Sequence, residues 1–217
     1  LVAQCCLGGI CEWVVCPGAR NMALLQVLAA AEDLVQWTHF DERSAAFFAL
    51  GRIQDMGLPA AVVTPSGTAA AELLPAVVEA YYQRRPLLLL TADRPADYRG
   101  SAAPQAIEQA DMFGIYAPTI DLQTPDDLPE DILEDWDYAS PLHINVCLPD
   151  PDPTWNPGHC DLYPAEPPEE NKFRGSLSGL AQALRFKARH GLVLMLGGLD
   201  PTEQAPALWL ANELKAP

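Results

Sequence analysis

The sequence predicts an α/β protein built on a doubly wound parallel sheet, and three observations carry that prediction. Short, nearly continuous apolar runs recur as far as Cys147, among them Ala60 to Thr64 and Leu87 to Thr91. Strands covered on both faces read this way, whereas half-exposed strands alternate. Stretches of helical periodicity separate these runs, as βαβ units require. Proline and glycine then punctuate the joins, for example Pro17-Gly18.

Taken in order, residues 1–9 read as helix. Glu12 to Cys16 reads as a short buried strand closed by Pro17-Gly18. Asn21 to Ala31 is an amphipathic helix with Asn21 as its N-cap. Leu34 to Thr38 is a second strand. Asp41 to Met56 is a helix with Ala46, Leu50 and Ile53 along one face. Ala60 to Thr64 is a third strand. Ser66 to Gln83 reads as one helix kinked at Pro75, because an interior proline costs roughly 3 kcal/mol. Leu87 to Thr91 is a fourth strand, and weaker strand signals follow at Ala117–Leu122 and Leu142–Cys147. This first domain is expected to end at Pro149.

Seven prolines, mixed with acids, fall between Pro149 and Pro168, the composition of an extended linker, placed at 150–171. Beyond it, Ser176 to His190 reads as helix, Gly191 to Leu196 as strand and Thr202 to Lys215 as helix. One strand has no partner of its own. Residues 172–217 are therefore expected to begin a second α/β domain in which this sequence stops. The chain opens on Leu1 with helical sequence at once, so more is expected upstream.

The formal net charge is −16, and it is unevenly placed. No Lys or Arg occurs between Arg99 and Lys172, a stretch holding sixteen acids. That speaks against phosphate neutralisation and hence against nucleic-acid binding; a solvated acidic face is the expected use. No apolar run reaches the ~18 residues of a membrane span, and there is no secretory pattern. The six cysteines have no C-x-x-C or zinc-finger spacing and read as reduced cytosolic thiols.

In an open parallel sheet, ligands bind beyond the carboxyl ends of the strands. The four strand ends here carry Cys16-Pro17-Gly18-Ala19-Arg20-Asn21, His39-Phe40-Asp41-Glu42-Arg43, Pro65-Ser66-Gly67-Thr68 and Ala92-Asp93-Arg94-Pro95. Arg20 and Arg94, a carboxylate pair and a small hydroxyl turn thus converge on one rim. Each also has a structural reading. Asp41 and Glu42 suit a helix start. Ser66 suits an N-cap and Gly67 a tight turn, or the turn could offer N–H groups to an anion. Arg94 could pair with Asp93, His39 could be a core histidine, and Cys16, with no base beside it, suits packing.

These strings, with Val62-Val63-Thr64 ahead of the third and Leu88-Leu89-Leu90-Thr91 ahead of the fourth, resemble in order and spacing the N-terminal part of the 2-succinyl-5-enolpyruvyl-6-hydroxy-3-cyclohexene-1-carboxylate synthases. That family belongs to the thiamine-diphosphate-dependent decarboxylases. The resemblance runs from residue 1 to about Phe113 and more loosely beyond. It implies that residues 1–149 are a pyrimidine-binding domain, that 172–217 begin a central domain, and that a third domain holds Mg2+ and the diphosphate. It makes Glu42 the catalytic, cofactor-activating glutamate, whose carboxyl group hydrogen-bonds a ring nitrogen of the aminopyrimidine and so promotes loss of the thiazolium C2 proton. Arg20, Arg94 and Gln105 fall at positions that hold substrate, while Ser66 and Gly67 line the pyrimidine. The implied activity decarboxylates 2-oxoglutarate and adds the succinyl-semialdehyde unit to isochorismate in menaquinone biosynthesis, in a cytoplasmic homodimer or homotetramer. A fragment without the diphosphate domain is expected to be inactive.

Two departures stand out. The family pattern P-G-S-R-S-T-P reads Pro17-Gly18-Ala19-Arg20-Asn21-Met22-Ala23 here, losing a hydroxyl at Ala19. The family's Asn before Gln105 is Pro104, losing an amide. A related carboligase of the acetohydroxyacid synthase type, or a non-catalytic α/β binding module, are the alternatives.

Overall fold

The computed structural model describes residues 1–165 and 201–214. The chain divides into two units, Leu1–Pro168 and Glu169–Pro217. In the second, the described residues form one helix, Pro201–Leu214, on which Leu208 and Trp209 are exposed. The helix and strand expected at 176–190 and 191–196 lie outside the described residues.

The first unit holds six strands: β1 (Glu12–Val15), β2 (Val35–Thr38), β3 (Ala60–Thr64), β4 (Leu87–Asp93), β5 (Thr119–Leu122) and β6 (Leu142–Cys147). They form one sheet in the order β2-β1-β3-β4-β6-β5, and every pairing is parallel. Among the described residues no helix is long and apolar enough to cross a membrane.

The apolar runs divide between two cores because successive side chains on a strand point to opposite faces. In β4, Leu88 and Leu90 enter one core, while Leu87 and Leu89 enter the other. Helices α1 (Val2–Leu7) and α2 (Met22–Ala29) cover the first face through Val2, Cys5, Leu24 and Leu28. Helices α3 (Glu42–Met56) and α5 (Leu74–Tyr82) cover the second through Ala45, Ala49, Ile53, Ala76 and Val77. Both faces of the sheet are therefore covered from β1 inward, as an all-parallel sheet needs, while the four residues of the edge strand β2 are exposed. Truncating any of these leucines to alanine would cost about 2–5 kcal/mol.

Three local expectations change. Asn21 occupies the N-cap position of α2 without capping it. Its Nδ2 donates to Cys16 O at 2.9 Å and its Oδ1 accepts from Gly18 N at 2.9 Å, so the amide closes the loop after β1 instead. The single kinked helix at 66–83 is two helices. A four-residue α4 (Thr68–Ala71) stops, and α5 starts anew with Pro75 in its first turn. At that position proline loses no hydrogen bond, because the first N–H groups of a helix have no intrahelical acceptor. Finally, the proline-rich segment is strapped onto the first unit. Trp155 O accepts from Gln26 Nε2 at 2.8 Å, Cys160 N donates to Ala30 O at 3.3 Å, and Ala165 N donates to Cys6 O at 2.8 Å.

At the amino end of the sheet, Glu12 is only 3% exposed. Arg52 on α3 grips its carboxylate through Nε at 2.8 Å and Nη2 at 2.7 Å, and Trp37 Nε1 adds a bond at 3.0 Å. The hydrogen bonds from Arg52 hold the Glu12 carboxyl below its ordinary range despite burial. This pair ties α3, β1 and β2 together and leaves the opposite, carboxyl end of the sheet for chemistry.

Candidate active site

The chain leaves β1 toward α2 on one face and leaves β3 toward α5 on the other. A crevice forms where connections diverge in this way. The two loops touch there: a Cβ on Gly18 would lie 2.8 Å from Pro65 Cβ, so only glycine allows this approach. Next to it, β2 delivers His39, Phe40, Asp41 and Glu42. Phe40 is 99% exposed, and the His39 ring packs on Phe48 at 4.7 Å between centroids, an aromatic contact.

The structure separates the two neighbouring acids. Asp41 is the N-cap of α3, and its Oδ1 accepts from Ser44 N at 2.7 Å. Hydrogen bonding from the Ser44 side chain, with that backbone bond second, holds the Asp41 carboxyl below its ordinary range. Glu42 is the first residue of α3, half-buried, and its carboxylate makes no hydrogen bond or ion pair among the described residues. It lies close enough to Cys16 that its charge, after burial, raises that thiol to about 12, with Asp41 adding to the effect. Cys16 is thus an inert core thiol, as its packing suggested.

Arg20 and Arg94 serve the loops. Arg20 Nη1 donates to Leu148 O at 3.1 Å and to Pro149 O at 2.9 Å, and Nη2 pairs with Asp150 at 3.0 Å. The arginine lines a cleft of about 230 Å³ with Ala23, Gln26 and Trp155. Arg94 Nε donates to Pro104 O at 2.9 Å, and its guanidinium lies 5.4 Å from the Tyr98 ring centroid. Its terminal nitrogens bond nothing else among the described residues. Arg94 does not pair with the Asp93 side chain; only its backbone N–H reaches Asp93 Oδ1, at 2.8 Å. The cation on Asp93 is Arg99, at 3.3 Å, which holds Asp121 more closely at 2.7 Å. A larger apolar groove of about 380 Å³ runs past Leu122, Val146 and Leu148, and none of the six expected site residues lines it.

Gly67 and Gln105 meet. Gly67 adopts φ 76°, ψ −134°, and a Cβ there would lie 3.0 Å from Gln105 Cα. Gln105 itself has φ 54° and an exposed side chain. Ser66 is buried, but Gly67 rather than Ser66 holds the N-cap position of α4. Nor is the Gly67 N–H available to an anion, since it donates to Gln109 Oε1 at 2.7 Å.

Gln109 belongs to a buried polar cluster that sequence reasoning missed. His143 sits between Thr91 Oγ1 (2.7 Å, from Nε2) and Thr119 Oγ1 (2.9 Å, from Nδ1), with Phe113 edge-on at 4.8 Å. Burial lowers its pKa to about 3, and the charge of Asp121 offsets only part of that. Asn145 links Thr91, Gln109, Asp93 and Asp121. Burial pushes the Asp121 carboxyl up, but bonds from Arg99, Asn145 and Gln123 outweigh it and hold the group at about 2. The available signal was period-two polarity: His143 and Asn145 alternate with Leu142, Ile144 and Val146, so one face of β6 is polar.

Thiamine diphosphate can be tested against these residues. An uncommitted, half-buried carboxylate beyond the end of β2 suits the pyrimidine half, which needs a group to share a proton with a ring nitrogen. The diphosphate half needs a divalent cation, and no group of three or more His, Cys, Asp or Glu among the described residues could hold a metal ion.

Comparison with known proteins agrees with this fold. Residues 2–112 match the family described as thiamine pyrophosphate enzyme, N-terminal TPP binding domain. The chain is 89% identical, over all of its 217 residues, to a 2-succinyl-5-enolpyruvyl-6-hydroxy-3-cyclohexene-1-carboxylate synthase of Akkermansia muciniphila, of which it covers 41%. The synthase of the same name from Bdellovibrio bacteriovorus is 44% identical over 144 residues, covering 66% of this chain and 27% of the relative. That from Chloroflexus aurantiacus is 52% identical over 119 residues, covering 54% of this chain and 20% of the relative. The chain therefore spans between 20% and 41% of the length of each of these relatives.

Proposed function

Because the chain belongs to the thiamine pyrophosphate enzymes, with residues 2–112 forming their N-terminal cofactor-binding domain, we propose that it is the pyrimidine-binding part of a synthase. That synthase decarboxylates 2-oxoglutarate and transfers the succinyl-semialdehyde unit to isochorismate. The observation that carries this reading is the division of labour at the start of α3. Asp41 is consumed in capping, whereas Glu42 keeps its carboxylate uncommitted at the sheet rim.

When bound, thiamine diphosphate supplies the electron sink for decarboxylation. Glu42 would hold a proton at the pyrimidine ring nitrogen, and Gly67, backed by Gln105, would form a flat wall that a side chain would fill. Arg94 offers its two terminal nitrogens to a substrate carboxylate, the bidentate pairing that guanidinium favours. Arg20 would also face substrate. To do so it exchanges the exposed Asp150 for the substrate's carboxylate, since Asp150 holds one of its terminal nitrogens. The relatives are named for a succinyl-bearing cyclohexene carboxylate, and joining the succinyl-semialdehyde unit of 2-oxoglutarate to isochorismate would give a product of that kind. We assign residues 1–149 to the pyrimidine domain, 150–171 to the linker and 172–217 to the start of a central domain. Mg2+ with the diphosphate belongs to another part of the protein. The six unpaired cysteines favour a cytoplasmic setting, and a homodimer or homotetramer would complete the site.

The test is Glu42→Gln in the full-length protein, assayed with 2-oxoglutarate and isochorismate. Loss of an acid–base group of this kind lowers kcat by about 10²–10⁴-fold. An unchanged kcat would refute the assignment of Glu42. Turnover of pyruvate but not 2-oxoglutarate would instead transfer the protein to the acetohydroxyacid synthase type.

A further inference from the structure

The buried cluster beneath the rim has a direction, and Asp93 and Asp121 set it. A carboxylate can only accept. Asn145 must therefore turn its Nδ2 to Asp93 Oδ2 (3.2 Å) and Asp121 Oδ1 (2.7 Å). That leaves Asn145 Oδ1 as an acceptor, and it receives Thr91 Oγ1 at 2.9 Å and Gln109 Nε2 at 2.9 Å. Thr91 has now spent its only proton, so His143 Nε2–H donates to it, and Thr119 O–H donates to His143 Nδ1. Gln109 Nε2 also donates to Ala92 O at 3.1 Å. With both partners of its amino group fixed as acceptors, Gln109 can present only Oε1 to the turn after β3. There it accepts the Gly67 N–H at 2.7 Å.

From this we infer that Gln109 is a positioning residue for the cofactor wall: it fixes the Ser66–Gly67 turn against the backbone of Gln105. The side chain is fully buried and reaches β4, β6 and the turn at once. Among the described residues the Gly67 N–H has no other acceptor. Its backbone angles are accessible chiefly to glycine, so the turn would relax elsewhere without an acceptor for its N–H. Four residues before Gln109, Gln105 packs its backbone on Gly67, and Arg94 Nε holds Pro104 O just ahead of it. The loop is thereby pinned on both sides of Gln105, and Gln109 is the pin that also sets the glycine.

The inference rests on the reading of Gly67 as a wall of the thiamine diphosphate site. It is tested by calorimetric titration of full-length protein with thiamine diphosphate and Mg2+, well below the melting temperature. Gln109→Met removes the acceptor and both donors at nearly constant volume. Thr119→Val damages the far end of the same cluster without touching Gly67. The expected result is a Kd raised about tenfold or more in Q109M and unchanged within twofold in T119V, even where both lower Tm. Gln109→Glu, which sets an acceptor against Ala92 O and Asn145 Oδ1, is expected to weaken binding in the same direction and carries the test alone if Q109M does not fold. Wild-type affinity in a folded Gln109 variant, or an equal loss in T119V, overturns the positioning role. A wild-type protein that binds no thiamine diphosphate overturns the reading of the site instead.

Discussion

At the scale of single residues, adjacent side chains of the same type have different fates. Asp41 and Glu42 differ by one position, and the helix start decides between them: the N-cap carboxylate is satisfied by the backbone, and the next is not. Residue chemistry alone placed both acids at the rim, and only the family resemblance singled out Glu42, because capping depends on where the helix begins to within one residue. His143 makes the opposite case. Its ring is fully buried and neutral, and its pKa of about 3 lies below the ordinary value of 6.5. Between these values the unfolded chain binds one more proton than the folded one. Stability from this group is therefore complete above pH 6.5 and falls as pH drops, by at most about 1.4 kcal/mol per unit. Denaturant unfolding of wild type between pH 6.5 and 5 is expected to show that slope, and His143→Gln is expected to flatten it. Equal slopes would show that the ring takes up its proton without unfolding.

At the scale of elements, β3 and β6 matched their expected bounds, and β1, β2 and α3 came within one residue, because apolar runs bounded by glycine or proline leave little choice of register. The failures share a cause. Asn21, Pro75 and Gln109 are each defined by a partner that is not periodic in sequence: a loop carbonyl, a helix restart and a glycine N–H. Pro75 permits a direct check. A proline inside a continuous helix would cost roughly 3 kcal/mol, and Pro75→Ala would then stabilise the protein. In the first turn of α5 the same change only frees the unfolded chain, and a loss of about 0.4–1 kcal/mol is expected in the denaturation midpoint. The rim loops were legible because strand ends in a parallel sheet face one way. The cluster beneath them was not, since its members come from β4, β5, β6 and the segment holding Gln109, and nothing in one sequence reports that β6 lies between β4 and β5.

At the scale of the whole molecule, the chain would, as proposed, contain only the half of a site that manages the pyrimidine and a proton. The purified 217-residue chain is accordingly expected to release no carbon dioxide from 2-oxoglutarate with thiamine diphosphate, Mg2+ and isochorismate present; measurable release would show that the described residues suffice. The sheet order has a further consequence, in time rather than in space. A ribosome emits β5 before β6, yet among the described residues β5 has no neighbour in the sheet except β6. Until Cys147 has left the exit tunnel, β4 presents an open edge of Leu88, Leu89 and Leu90, and Thr119–Leu122 has nothing to pair with. The nascent protein must keep that edge from other chains for at least the 54 residues between Asp93 and Cys147, about 3–11 seconds at common elongation rates. Parallel pairing, already slow because its contacts are distant in sequence, thus makes this interval the natural point for a chaperone to act.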